Sequence, residues 1–166
     1  MKRLMALLLT VAVLVSLVAA CAPSSTPAPL KCDAYVVIAK YQKSTECGGT
    51  KCTIMSIEVT NNGTKDVCDV HFDRERFRGC PYDKIAWYSK PADWSATPSV
   101  ACDFTAGLVK FKATATQHCI GPGESKIFGV AGAKPCGGLP SVVTFDCTDA
   151  SGNLLYRGNA SKITDP

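Results

Sequence analysis

Thr53-Ile54-Met55-Ser56-Ile57-Glu58-Val59-Thr60-Asn61-Asn62-Gly63-Thr64 is the stretch that decides the fold. Met55, Ile57 and Val59 alternate with Ser56, Glu58 and Thr60, the period of two that gives one face of a strand to a core and the other to water. The Asn-Asn-Gly-Thr that follows supplies residues tolerant of positive φ, so the strand ends in a turn. A second run, Val67 to Phe72, begins directly after it.

The same grammar continues outward. Tyr35 to Lys40, Leu108 to Ala113, Ser125 to Val130, Val142 to Cys147 and Leu154 to Arg157 are short runs rich in β-branched and aromatic residues. Gly121-Pro122-Gly123 and Ser151-Gly152-Asn153 punctuate them. Val109 and Phe111 oppose Lys110 and Lys112, again one face in and one out. No helical period is sustained anywhere, and the pattern predicts an all-β, antiparallel β-sandwich forming a single module over residues 32–166. Asp73 to Asp103, which mixes charge with Trp87 and Trp94, reads as a long irregular connection with one further strand at most.

The setting follows from the start of the chain. Lys2 and Arg3, an apolar run from Leu4 to Val18, and small residues at Ala19 and Ala20 read as a secretory signal peptide over residues 1–20. That run is too short for a membrane span, and the expected location is secreted. Val18-Ala19-Ala20-Cys21 also matches a bacterial lipobox, so a lipid anchor at Cys21 on the cell surface is the alternative. Residues 21–31, rich in Pro, Ser and Thr, read as a linker or tether. In an oxidising compartment the ten cysteines imply several disulfides, with on the order of nine hundred possible pairings. Cys47 with Cys52, and Cys68 with Cys147, are two candidates. Asn62-Gly63-Thr64 and Asn159-Ala160-Ser161 are glycosylation sequons, as in a glycoprotein of a eukaryotic secretory pathway.

Composition and motifs narrow the chemistry. There are 18 basic and 14 acidic residues, and Lys2 and Arg3 fall in the leader, an excess too small to point to nucleic acid. Cys68-Asp69-Val70-His71 and His118-Cys119 lack the paired spacing of a structural zinc site, so neither a metal nor a cofactor is expected. Asp69, His71 and Asp73 share one face of a strand, as a solvated polar face does. Gly121-Pro122-Gly123-Glu124-Ser125 is not a nucleophile elbow, and no catalytic residue is assigned. A small glycan-active hydrolase, with carboxylates drawn from Asp73, Glu75, Asp83 and Asp93, ranks third among the functional readings.

Ile57 to Thr64 with Val67 to Phe72, and Ile120 to Val130 with its Pro122-Gly123-Glu124-Ser125 and Phe128-Gly129, together resemble secreted cellulose-binding modules. Two kinds are similar: those of bacterial cellulases, and those of plant endoglucanase C-termini and amoebal cyst-wall proteins. The resemblance implies non-catalytic binding of cell-wall polysaccharide, cellulose or another β-linked glycan, through exposed aromatic rings. Trp94 matches the place of a surface tryptophan in the bacterial type. Trp87, with Tyr88 and Tyr82, matches the aromatic neighbourhood of the other, and Asp93, Lys90 and Asn62 would bond ring hydroxyls. Cys68 stands where the bacterial type has a tryptophan, and the cysteine density marks a diverged lineage. The rival reading is a secreted signalling or adhesion protein, similar to cysteine-rich plant ligands of the tapetum determinant family. It would bind a protein receptor through the 73–103 segment with Arg74, Arg76 and Arg78. Exposed coplanar rings favour the glycan; a protruding, charge-lined loop with buried tryptophans favours the protein.

Overall fold

The computed structural model describes residues 36–79, 82–133, 140 and 142–160. The expected signal peptide and linker, and Cys21, Cys32, Cys80 and Cys136, lie outside the described residues. Among the described residues nine strands follow one another: β1 (Val36–Cys47), β2 (Thr50–Thr60), β3 (Asp69–Arg78), β4 (Lys84–Ser89), β5 (Trp94–Thr97), β6 (Leu108–Ala113), β7 (Ser125–Ala133), β8 (Val142–Thr148) and β9 (Leu154–Ala160). They form two antiparallel sheets, one of order β1-β2-β7-β4 and one of order β5-β6-β3-β8-β9. No helix among the described residues is long and apolar enough to cross a membrane.

The alternation read in β2 is the alternation of the core. Met55, Ile57 and Val59 are fully buried and meet Val70, Phe72, Val109, Phe111, Phe128 and Phe145 between the sheets. Phe128 anchors this layer by packing on both Phe111 (ring centroids 4.8 Å apart) and Trp94 (5.0 Å, edge-on). Such offset and edge-on pairs satisfy the ring quadrupoles while burying large apolar area.

The Asn-Asn-Gly turn carries the chain from one sheet to the other, and buried Asn61 holds it. Its Nδ2 donates to the Lys65 and Ile120 carbonyls at 2.8 and 2.7 Å, and its Oδ1 accepts from Gly63 N. Its backbone N–H donates to Glu124 O, and its carbonyl accepts from Gly123 N. The two sequence pieces that carried the resemblance therefore pack on each other as mutually bonded turns. Gly123, at φ 81°, takes the conformation that favours glycine.

The segment 73–103 is corrected by the structure. Strand β3 runs on to Arg78, and β4 and β5 both lie within what read as an irregular connection. A register shift between Phe72 and Phe77 breaks the period of two in β3, which hid its second half. Beyond β5, residues 98–104 fold back over the outer face of the four-stranded sheet. Phe104 there covers Ile54, Ala86 and Ala131. Cys102 N donates to Trp87 O at 2.9 Å, and a Cys47–Cys102 disulfide fastens the strap.

A second disulfide among the described residues is Cys68–Cys119, beside an isolated bridge between Val67 and Ile120. Neither pairing is one the sequence suggested. Cys47 faces Thr50 across the β1-β2 hairpin while Cys52 faces Thr45, so the two cysteines stand diagonally. Cys68 lies just before β3, at the end of the sandwich where Cys119 also sits.

Candidate functional site

The outer face of the five-stranded sheet is where polar side chains gather. With Val70 and Phe72 turned inward on β3, Asp69, His71 and Asp73 must face out, and the same logic turns Lys110 and Lys112 out on β6 and Asp146 and Thr148 out on β8. Register then aligns them into two rows across all five strands. One row is Thr97, Lys110, His71, Asp146 and Arg157; the other is Ser95, Lys112, Asp69, Thr148 and Leu154.

Asp146 is the hub of the first row. Arg76 Nη1 approaches its Oδ2 at 2.7 Å and Arg157 Nε its Oδ1 at 2.8 Å. Burial alone would raise the Asp146 carboxyl, but the bonds from Arg157 and Arg76 outweigh it and hold the group below its ordinary value.

Asp69 is the hub of the second row and is only 2% exposed although its strand faces outward. Its Oδ2 lies 3.3 Å from Lys110 Nζ and 3.7 Å from His71 Nε2. Asp69 Oδ1, His71 Nε2 and Thr148 Oγ1 are buried side-chain atoms with no hydrogen-bond partner, and they share this one patch. Buried polar atoms are seldom left so, because each forfeits its solvation.

Burial, and then the Lys110 charge, lower the His71 pKa from 6.5; Asp69 and Asp146 oppose the shift without reversing it. The unfolded chain therefore binds a proton at this residue more readily than the folded one does. Stability contributed by neutral His71 is complete above pH 6.5 and declines as pH falls below it. Thermal unfolding followed across that window is expected to show the decline, and His71→Asn is expected to flatten it, leaving the separate loss from Asp146 in the carboxylate range below 3.8.

Where β3 and β6 reach the end of this face, Asp73, Arg74, Glu75, Thr105, Gly107 and Leu108 line an open cleft of about 460 Å³. Arg74 is held there, its N–H bonded to Gly107 O and its Nη1 to Asp83 O. Asp73 Oδ1 accepts from Glu75 N at 3.0 Å, which commits one of the two carboxylates to the local turn. Arg74, Arg76 and Arg78 belong to strand β3 and not to a protruding loop.

The expected aromatic row is not assembled. Trp94, read as a surface ring, is 1% exposed: β5 turns it inward onto Phe128, and its Nε1 donates to His118 O at 3.0 Å. Tyr82 is also buried, its ring lying over Gly132, where a Cβ would come within 2.5 Å of it. Trp87 is half-buried against the core and donates through Nε1 to Pro98 O. Tyr88, at 45%, is the exposed ring of the four.

The polar residues expected beside them are likewise occupied or apart. Asp93 accepts from Lys126 Nζ at 2.9 Å, a bond from β7 that joins the two sheets and lowers the Asp93 carboxyl. Lys90 Nζ donates to Trp94 O. Asn62 is exposed at the turn between β2 and β3. His71 and His118, each next to a cysteine in sequence, are separated in space by role: Cys68 and Cys119 are bonded to each other, and His118 Nδ1 pairs with Thr114 Oγ1. Among the described residues no group of three His, Cys, Asp or Glu side chains is placed to hold a metal ion.

Sequence reasoning recognised the Asp69, His71 and Asp73 face and the outward Lys110 and Lys112, but not their union with Asp146, Thr148 and Arg157. The available signal was the polar half of each alternating strand, and only pairing order could join those halves.

Fold and disulfides together define a disulfide-stapled antiparallel β-sandwich. No protein-family model matches the chain, and no curated protein matches it. A solved structure to which it is similar is an uncharacterized protein from Nocardia farcinica, described as having an immunoglobulin-like fold. The two are 11% identical, with a TM-score of 0.45, over 81% of this chain and 100% of that one.

Proposed function

We propose that this protein is a secreted, non-catalytic recognition module whose partner is another protein, met by the polar outer face of the five-stranded sheet. The observation that carries the reading is the pairing of a core-buried Trp94 with a buried, ion-paired Asp69 at the centre of an outward face. Glycan platforms spend their aromatic rings on the surface, since a ring contributes to sugar binding only where it can be covered by one. Here Trp94 and Tyr82 stabilise the sandwich instead. Cross-strand ionic rows, by contrast, supply the complementarity that orients a protein partner and fixes register. The two disulfides support an oxidising compartment, in agreement with the leader.

The test has two arms. Folded protein mixed with microcrystalline cellulose or chitin is expected to stay in solution. Immobilised wild-type protein is expected to retain a discrete protein from the extracellular fraction of its source, and a Lys112→Glu, Arg157→Glu variant that remains folded is expected to release it. Depletion by either polymer, lost in Tyr88→Ala, would overturn the proposal and restore polysaccharide as the ligand.

A further inference from the structure

Asp69 has two cationic suitors and one carboxylate oxygen that reaches both. Lys110 Nζ is 3.3 Å from Oδ2 and His71 Nε2 is 3.7 Å from the same atom, while Oδ1 has no partner. The three differ in their access to water. The Asp69 side chain is 3% exposed, that of His71 23% and that of Lys110 38%. A buried carboxylate must keep a positively charged partner, because an uncompensated buried charge is strongly destabilising. An ammonium on a flexible stem at the surface has no such need, since water solvates it well.

We propose that Asp69, His71 and Lys110 form a proton-operated exchange: with His71 neutral the carboxylate holds Lys110, and when a proton from solvent binds His71 Nε2 the carboxylate turns to the imidazolium and releases the ammonium. No covalent bond changes, and the net charge of the face rises by one. The surrounding groups favour this particular exchange. On β3, Asp69 and Asp73 are the outward residues two places either side of His71, and Arg76 reaches Asp146 opposite it; from β6, Lys110 and Lys112 face the pair; from β8, Asp146 faces His71 in register, with Arg157 of β9 beyond it. Asp146 already holds Arg76 and Arg157, so Asp69 is the carboxylate left for a protonated His71. A charge-assisted N–H···O bond also gives the idle Nε2 a partner, which the neutral arrangement does not. Release of Lys110 removes the cation that most opposes protonation of the ring, so the two events reinforce one another. The exchange stands on its own geometry. Should the face bind a protein, as proposed above, acidification would offer that partner a freed Lys110.

The experiment is a double-mutant cycle in unfolding equilibrium with Asp69→Asn and Lys110→Met, run at about pH 8 and about pH 5. Coupling of roughly threefold in the unfolding constant is expected at the higher pH and close to none at the lower. In a His71→Gln background the coupling is expected to persist at both. Equal coupling at the two pH values in the wild-type background, or its loss at low pH in both backgrounds, would overturn the exchange. Should Asp69→Asn not fold, the Lys110 side-chain resonance in the otherwise native protein serves instead. It is expected to shift with the His71 titration and to stay still in His71→Gln; a Lys110 signal indifferent to His71 would sink the idea, whatever partner the face binds.

Discussion

Trp94→Ala is expected to cost the fold about 3–5 kcal/mol, the range for emptying a buried aromatic site. That is a large part of the roughly 5–15 kcal/mol by which a domain of this size is stable. The ring is 1% exposed, packs edge-on against Phe128 and donates to His118 O, so its removal opens a cavity and leaves a carbonyl without its donor. Phe128 in turn bears on Phe111, so the damage reaches the layer shared by both sheets. Denaturant unfolding should place the midpoint of Trp94→Ala far below that of the wild type, or show the variant unfolded. Tyr88→Ala, at a ring 45% exposed, should fall within about 0.5 kcal/mol of the wild type. A Trp94→Ala protein of unchanged stability would mean that the ring is not in the core and would return it to the surface role first expected of it.

Replacing Cys68 and Cys119 together with alanine is expected to destabilise by about 4 kcal/mol, from the chain entropy that a bridge across this separation removes from the unfolded state. The two residues are 51 apart in sequence. The location adds to the effect. Beside the bridge, Val67 and Ile120 exchange backbone hydrogen bonds, and Asn61 Nδ2 donates to Ile120 O. The disulfide thus fastens the point at which the chain passes from the first sheet to the second. Unfolding of the double variant without reductant should match that of the wild type with the bridge selectively reduced. A loss well under 1 kcal/mol would show that the turn contacts close this end unaided.

Much of the architecture was legible because strand burial has a period of two. Met55, Ile57 and Val59 announce a half-buried strand, as Val109 and Phe111 do, and β-rich runs between turn residues mark the other five of seven. The four aromatic residues singled out for ligand binding show where that legibility stops. Alternation tells which residues of one strand share a face, but β5 is four residues long and offers too little period to tell whether Trp94 faces in or out. The same limit applied to the cysteines. Cys47 and Cys52 looked like partners because they flank a glycine pair, whereas the strap of residues 98–104 brings Cys102 over Cys47 from 55 residues away.

By itself the sequence determined the class of fold and the polar character of Asp69, His71, Lys110 and Lys112, since each depends on local periodicity and turn chemistry. Only the tertiary structure decided which half-faces adjoin, which cysteines pair and which rings are buried. Strand order is set by the packing of one sheet against the other, a sum over contacts distant in sequence, and no local pattern encodes it. The rows across the five-stranded sheet, with Asp69 sunk between Lys112 and Thr148, exist because β3 lies between β6 and β8.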